Sequence, residues 1–423
     1  MKKSNFTVVI VTNGPGELTT WVKPIVEKLR ENLIKNKDYL FKSISISLVL
    51  VPCPNSTGTE KFVAEKWGYF TKVTSAKNFW KLLINPNKYG IWTKKGIVIF
   101  LGGDQFWTVL LSARLNYKHL TYGEWVVRWP QWNDHIFAMS EKVKSLLPAK
   151  FKNKCTVVGD IMADINEDHK KNFPIPEGEW IALLPGSKKT KLSIGVPFFL
   201  EVVDHLKELL PKCNLIIPIA PTINKYDLKI FANKANPIAQ KYNSGIKEIK
   251  ERNGSQNLSK IITEKGNEIY LLEEYPSYSF ISQCDIALTT VGANTAELAA
   301  LGVPMIVVVP TQHLGLMESW DGFLGILGRL PILKKFIGYL ISYWRMRKNR
   351  YLAWPNISAN TMIVPERVGN IFPKEIAEET FFWIKNKDKL EEQKSLLRQL
   401  RGKPGAVNKI VEKIEVIIKK QMI

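Results

Sequence analysis

Only four cysteines occur in 423 residues, Cys53, Cys155, Cys213 and Cys284. None forms a CxxC pair or a zinc-like spacing, which excludes a disulfide framework and a structural zinc site. The four read as small buried hydrophobes in a reducing compartment. Long apolar runs are also scarce. No stretch of about twenty uninterrupted apolar residues exists, so no membrane span is expected. The run Phe6–Val11 behind Met1 is too short for a signal-peptide core and reads as a first buried strand, with the chain expected in the cytoplasm. Acidic residues are few: 39 Asp and Glu stand against 60 Lys and Arg, a formal charge of +21. Such an excess favours an anionic partner, a membrane surface or a phosphorylated substrate; the alternative is a lysine-rich bias spread over solvated faces. Nucleic-acid-binding signatures are lacking, so no nucleic-acid partner is expected.

What is present is an alternation of short apolar runs with longer helical patterns, the rhythm of parallel α/β sheets. Val8–Thr12, Ile44–Val51, Ile97–Leu101, Ile136–Met139 and Cys155–Val158 read as strands, and Trp21–Leu33 as a helix. A proline- and charge-containing linker follows over 167–180. A second series then predicts strands at Ile181–Leu184, Leu215–Ile219, Ile269–Leu272, Ile286–Thr289 and Met305–Val309, with a helix over Pro197–Leu210. Ala235–Lys265 reads as a polar surface excursion. At 45% hydrophobic residues the chain can bury two cores. The pattern predicts two Rossmann-like, doubly wound parallel-sheet domains facing a central cleft: 1–166, and 181–370. Helices over 371–423 are expected to pack back on the first domain. The segment 315–351 mixes aromatics, aliphatics and a basic cluster, which suits an anionic membrane interface or, alternatively, a homodimer contact.

Leu288–Val309 carries the most chemistry. It predicts strand, glycine turn, helix, second glycine turn and buried strand. Gly292 lets the backbone bend sharply, and Asn294 and Thr295 can cap the helix. A helix N-terminus after such a turn offers unpaired N–H groups and a positive dipole end to phosphate. Glu297, in the first turn, suits ribose hydroxyls.

Several further motifs fall in an order that resembles the lipid-A-disaccharide synthases, glycosyltransferases of the two-Rossmann GT-B type, and looks closest to their divergent "lipid-A-disaccharide-synthase-related" branch. Leu183-Leu-Pro-Gly-Ser-Lys188 resembles the family's LLPGSR. Thr290–Leu301 resembles SGTATLEAAL, with Glu297 on its glutamate. Trp354-Pro-Asn-Ile357 and Val364-Pro-Glu366 resemble the LPN and VPE pair that lines the nucleotide-sugar cleft. The resemblance thus implies a donor site of Gly186, Ser187, Lys188, Gly292, Ala293, Asn294, Thr295, Glu297, Asn356 and Glu366. In the first half, Asn13-Gly-Pro-Gly-Glu17 occupies the place of the GExSGD loop, implying acceptor contacts from Asn13, Gly14, Gly16 and Glu17. Gly102-Gly-Asp-Gln-Phe106 stands where the family has DxPDF, which makes Asp104 the implied catalytic residue. Read on its own, without the resemblance, Asp104 is better explained as a helix cap after a Gly-Gly turn, since Trp107–Leu115 looks helical. Val158–Asp164 resembles VGHPLAD, with Asp160 in place of the histidine.

The implied activity is an inverting transfer from a UDP-sugar to a lipid or glycolipid acceptor, with the protein peripheral on the inner membrane face. A carboxylate can take the proton from an attacking hydroxyl. No Asp-x-Asp pair occurs, so metal independence is expected and no cofactor beyond the UDP-sugar co-substrate. The leaving charge would be met by the helix dipole at Ala293–Ala296 and by Lys188 or Lys189. Two alternatives remain: a UDP-sugar 2-epimerase of the same fold, and a non-catalytic membrane-surface relative.

Overall fold

The computed structural model describes residues 5–35, 43–53, 58–90, 92–166, 177–221, 223–251, 258–313 and 351–422. Most of the 167–180 linker and all of the 315–351 segment except Tyr351 lie outside them. The chain divides into two compact units, one of Met1–Glu167 with Gly402–Ile423, the other of Asp168–Arg401. Each is an α/β sheet wrapped by helices.

The first unit holds β1 (Phe6–Thr12), β2 (Ile44–Leu50), β3 (Lys72–Thr74), β4 (Gly96–Phe100), β5 (Lys118–Gly123), β6 (His135–Ala138) and β7 (Cys155–Val157) in the order β3-β2-β1-β4-β5-β6-β7. Every pairing is parallel. Strands covered on both faces are mostly apolar, and β1 is buried throughout, its Thr7 hydroxyl paired with those of Ser45 (3.0 Å) and Thr93 (2.9 Å) and its Thr12 hydroxyl donating to the Leu101 carbonyl at 2.8 Å. The short β3 and the polar β5 escaped the periodicity. In β5 the buried His119 ring is satisfied by the Trp132 carbonyl and the Thr121 hydroxyl, each at 3.2 Å, and burial pushes its pKa down to about 4.

The second unit holds β8 (Trp180–Leu184), β9 (Asn214–Pro218), β10 (Ile246–Lys250), β11 (Ser259–Thr263), β12 (Glu268–Leu272), β13 (Ile286–Thr289), β14 (Met305–Pro310) and β15 (Glu366–Gly369), ordered β10-β11-β12-β9-β8-β13-β14-β15. The pairs β10–β11 and β11–β12 are antiparallel; the rest are parallel. The expected surface excursion at Ala235–Lys265 is therefore corrected. It supplies two sheet strands and buries Ile238, Ala239 and Tyr242. Alternating edge strands such as IKEIK carry polar residues outward, and that concealed them.

A second correction concerns the helix expected at Pro197, which starts at Lys189 and runs to Leu209 with Pro197 inside. Proline cannot donate to the carbonyl four residues earlier. Here that carbonyl, on Ser193, is served at 2.8 Å by the side-chain amide of the buried Asn236. The substitute bond lets the helix continue through a residue that normally stops one.

The C-terminal helices split between the units, contrary to the expectation that 371–423 would pack on the first. Pro373–Lys385 and Lys387–Arg401 belong to the second unit; Ala406–Met422 belongs to the first. Asp164 fixes the start of the last helix by accepting from the backbone N–H groups of Gly405 and Val407, the latter at 2.7 Å. The helix then buries Val407, Ile410, Val411, Ile414 and Ile418 in the core that contains Leu18, Val22, Ile25 and Leu29. No helix among the described residues is long and apolar enough to cross a membrane.

Candidate functional site

In the second unit the chain leaves β8 towards β9 on one side, and leaves β13 towards β14 on the other. Since β8 and β13 are neighbours with Leu184 opposite Thr289, their carboxyl ends form a topological switch point, the usual ligand crevice of such sheets. Both strands end in a glycine bend that feeds a helix. Gly186 (φ +117°) precedes the Lys189–Leu209 helix, and Gly292 (φ +151°) is the N-cap residue of the helix Ala293–Leu301. Both backbone conformations are ones that side-chain-bearing residues rarely adopt. Two helix N-termini thus point to one crevice. Thr290 spans the gap: its N–H bonds the Leu184 carbonyl at 3.2 Å, and its hydroxyl is 3.5 Å from the Cβ position of Gly186. That hydroxyl is buried without a hydrogen-bond partner.

The donor residues expected from sequence fare differently. Gly186, Ser187, Lys188, Gly292, Ala293 and Asn294 all lie on these two bends or the turn that follows. Thr295 does not cap the helix. It is 1% exposed; its hydroxyl donates to the Gly292 carbonyl at 2.9 Å and accepts from the Trp354 N–H at 3.1 Å. Nor does Asn294 supply a cap, since Gly292 holds that position without any side-chain bond. Glu297 sits beyond the first helical turn. Enclosure raises its carboxyl to about 7, against the pull of Arg401. Arg401 itself lies 3.5 Å over the Trp354 ring and donates to the Ala296 carbonyl.

Asn356 and Glu366 require correction. Asn356 is 0% exposed. Its amide donates to the Val364 carbonyl (2.8 Å) and to Glu366 (2.7 Å), and its oxygen accepts from Ile363 and Val364 N–H. Glu366 also takes the N–H groups of Leu352 and Ala353. Their polar atoms are consumed in a clasp that joins the Trp354–Ala359 helix to β15, so they shape the loop and have little left for a ligand.

In the first unit, the carboxyl ends of the adjacent strands β1 and β4 bring two more expected segments together. Gly102 (φ +123°) and Gly103 (φ +98°) follow β4. A Cβ on Gly102 would lie 2.8 Å from that of Glu17, and one on Gly103 would lie 3.1 Å from that of Asn13. The expected acceptor loop is itself corrected. Pro15–Glu17 is a helical turn that runs through a π-turn at Leu18–Val22 into the helix Lys23–Lys35. The extra residue of the π-turn leaves the Gly16 carbonyl to accept the hydroxyls of Thr19 and Thr20. Asn13 accepts from the Gly14 N–H at 2.7 Å and donates to Cys53 Sγ at 3.1 Å, so its side chain is engaged locally.

Asp104 is the N-cap of the helix Gln105–Leu115, accepting from the Phe106 N–H at 2.9 Å. Its other oxygen is 3.6 Å from the Arg128 guanidinium, and its side chain is 50% exposed. Arg128 was not legible as a site residue. Its place depends on Gln105, which donates to the Val126 carbonyl and accepts from the Arg128 N–H, both at 2.8 Å. Beside the pair runs an aromatic ridge, Trp80–Trp107–Phe106–Trp129–Trp132, with successive ring centres 5.2 to 6.0 Å apart. Trp80 and Trp132 are both about half exposed. Asp160, where the resembled family has histidine, accepts from the Met162 N–H at 3.0 Å and starts the turn Ile161–Asn166.

No family model matches the chain. Curated relatives do. It is 26% identical over 280 residues to the lipid-A-disaccharide synthase of Sulfurihydrogenibium sp. (strain YO3AOP1), covering 64% of this chain and 61% of that protein. It is 25% identical over 244 residues to the lipid-A-disaccharide synthase of Syntrophus aciditrophicus (strain SB), covering 57% and 50%. The chain thus spans about half to three fifths of these relatives' length. Among solved structures, the UDP-GlcNAc 2-epimerase of Neisseria meningitidis bound to UDP-GlcNAc superposes with a TM-score of 0.51 at 11% identity, over 99% of each chain. The S. aureus MnaA–UDP co-structure gives 0.53 at 12% identity, over 98% of this chain and 97% of that one. The fold is of the GT-B type, and by its sequence the chain is a divergent, family-level relative of the lipid-A-disaccharide synthases.

Proposed function

We propose that the chain is an inverting glycosyltransferase that moves a sugar from a UDP-sugar to a lipid-linked acceptor at the cytoplasmic membrane surface. The observation that carries the reading is the pair of positive-φ glycine bends at the ends of adjacent strands β8 and β13, each opening a helix. Backbone N–H groups and two dipole ends at one crevice suit a diphosphate. Lys188 adds charge at the first bend, and Glu297 is the group for the ribose. Asp104 takes the proton of the acceptor hydroxyl as its oxygen attacks the anomeric carbon. One displacement inverts that carbon and releases UDP, whose charge the helix ends meet without a metal. Gly14, Gly16 and Glu17 stand beside Asp104 for the acceptor's polar part, and the aromatic ridge offers apolar surface for its lipid.

Incubation with a panel of UDP-sugars and a lipid-linked sugar acceptor tests this. The expected products are a new glycolipid of inverted configuration and free UDP, at a rate that EDTA leaves unchanged. An epimer or a glycal formed from UDP-sugar alone would assign the fold to epimerase chemistry instead. Turnover that vanishes with EDTA and returns with a divalent cation would contradict the metal-free account of leaving-group stabilisation.

A further inference from the structure

Lys191 stands between the two glycine bends and was not singled out by any motif. It belongs to the first turn of the Lys189–Leu209 helix, on the β8 side. A Cβ on Gly186 would meet the Cβ of Lys191 at 2.8 Å, while a Cβ on Gly292 would meet its Nζ at 2.9 Å. The stem therefore crosses one bend and the ammonium reaches the other, where it donates to the Val291 carbonyl. Among the described residues no carboxylate pairs with it. An ammonium withdrawn from water without a counter-charge is unfavourable, and burial lowers Lys191 to about 8, with Lys188 the second cause. The unpartnered Thr290 hydroxyl lies at the same crevice. A cation, a free hydroxyl and two helix N-termini meet at a crevice where, among the described residues, no carboxylate pairs with the cation.

We infer that Lys191 is the cation that receives the diphosphate of a nucleoside-diphosphate ligand, its hydrogen bond passing from the Val291 carbonyl to a phosphate oxygen. The inference rests on the donor reading above. Between ligands the same bond ties the β13 bend to the helix after β8. Capture of the anion restores the lysine's preference for its charged form. Binding therefore takes up a proton where free Lys191 is neutral, and affinity falls as pH rises through about 8. Among the described residues Lys188 is the charged group that acts on it; Thr290, Val291 and Gly292 bring no ionisable side chain.

Calorimetric titration of the full chain tests this, with UDP, inorganic pyrophosphate and uridine as probes at pH 7 and pH 9.5. Lys191→Met keeps the length of the apolar stem and removes the charge; its thermal unfolding checks that it is folded. A hydrogen bond to a charged group contributes enough that its loss should weaken UDP and pyrophosphate by about 10- to 100-fold. Uridine affinity should be unchanged. The wild-type loss of UDP affinity between pH 7 and 9.5, with proton uptake, should disappear in the variant. Undiminished UDP affinity in a folded Lys191→Met protein, with the pH slope intact, would overturn the inference and leave the donor reading standing. Failure of the wild-type protein to bind UDP would overturn both.

Discussion

Replacing Asp104 by asparagine is expected to slow sugar transfer by about 10²- to 10⁴-fold while leaving UDP affinity unchanged, the range associated with loss of a positioned general base. The substitution separates two roles that this carboxylate combines. As an N-cap it accepts from the Phe106 N–H at 2.9 Å, and an asparagine oxygen accepts that bond equally well. The lost ion pair with Arg128, long at 3.6 Å and half exposed on both sides, contributes little to stability. A folded protein with normal UDP affinity and collapsed turnover would therefore isolate the chemical role. Asp104→Ala supplies the contrast: it removes the cap as well, at about 1 kcal/mol. Unchanged turnover in Asp104→Asn would reduce Asp104 to a cap after a Gly-Gly turn.

Asn356→Asp is expected to destabilise the second unit by about 3–5 kcal/mol, since each buried polar group left unpaired costs about 1–3 kcal/mol. The shape is conserved, but two donors become none. The Val364 carbonyl at 2.8 Å and the Glu366 carboxylate at 2.7 Å would then face a second acceptor. Like charges brought together out of water add to the loss. Denaturant unfolding, with hydrogen exchange read at β14 and β15, measures it. An Asn356 that chiefly contacted donor would give a different result, with normal stability and weakened UDP-sugar binding.

The sequence made the sheets legible where a strand is buried on both faces and apolar throughout, as in β14, which has no polar interruption to confuse the period. It failed where burial is one-sided or compensated. The edge strand β10 alternates with charges, and the helix through Pro197 depends on Asn236, 39 residues later in the chain. The candidate site divides along the same line. Gly186 and Gly292 announce themselves because a bend between strand and helix demands them. Asn356 and Glu366 were found as a motif and assigned to the donor, since a motif brings two residues near each other without fixing which way their polar atoms turn. Arg128 carried no local signal, its position being set by Gln105, 23 residues earlier in the chain. Lys191 did carry one: three residues after Lys188, it sits one turn along the start of the same helix.

A crystal structure of the full chain grown with UDP would show whether the two glycine bends hold the nucleotide. The diphosphate is expected at the carboxyl ends of β8 and β13, within hydrogen-bonding distance of the backbone N–H groups that follow Gly186 and Gly292. A nucleotide bound elsewhere on the second unit, with those two bends unoccupied, would contradict that expectation.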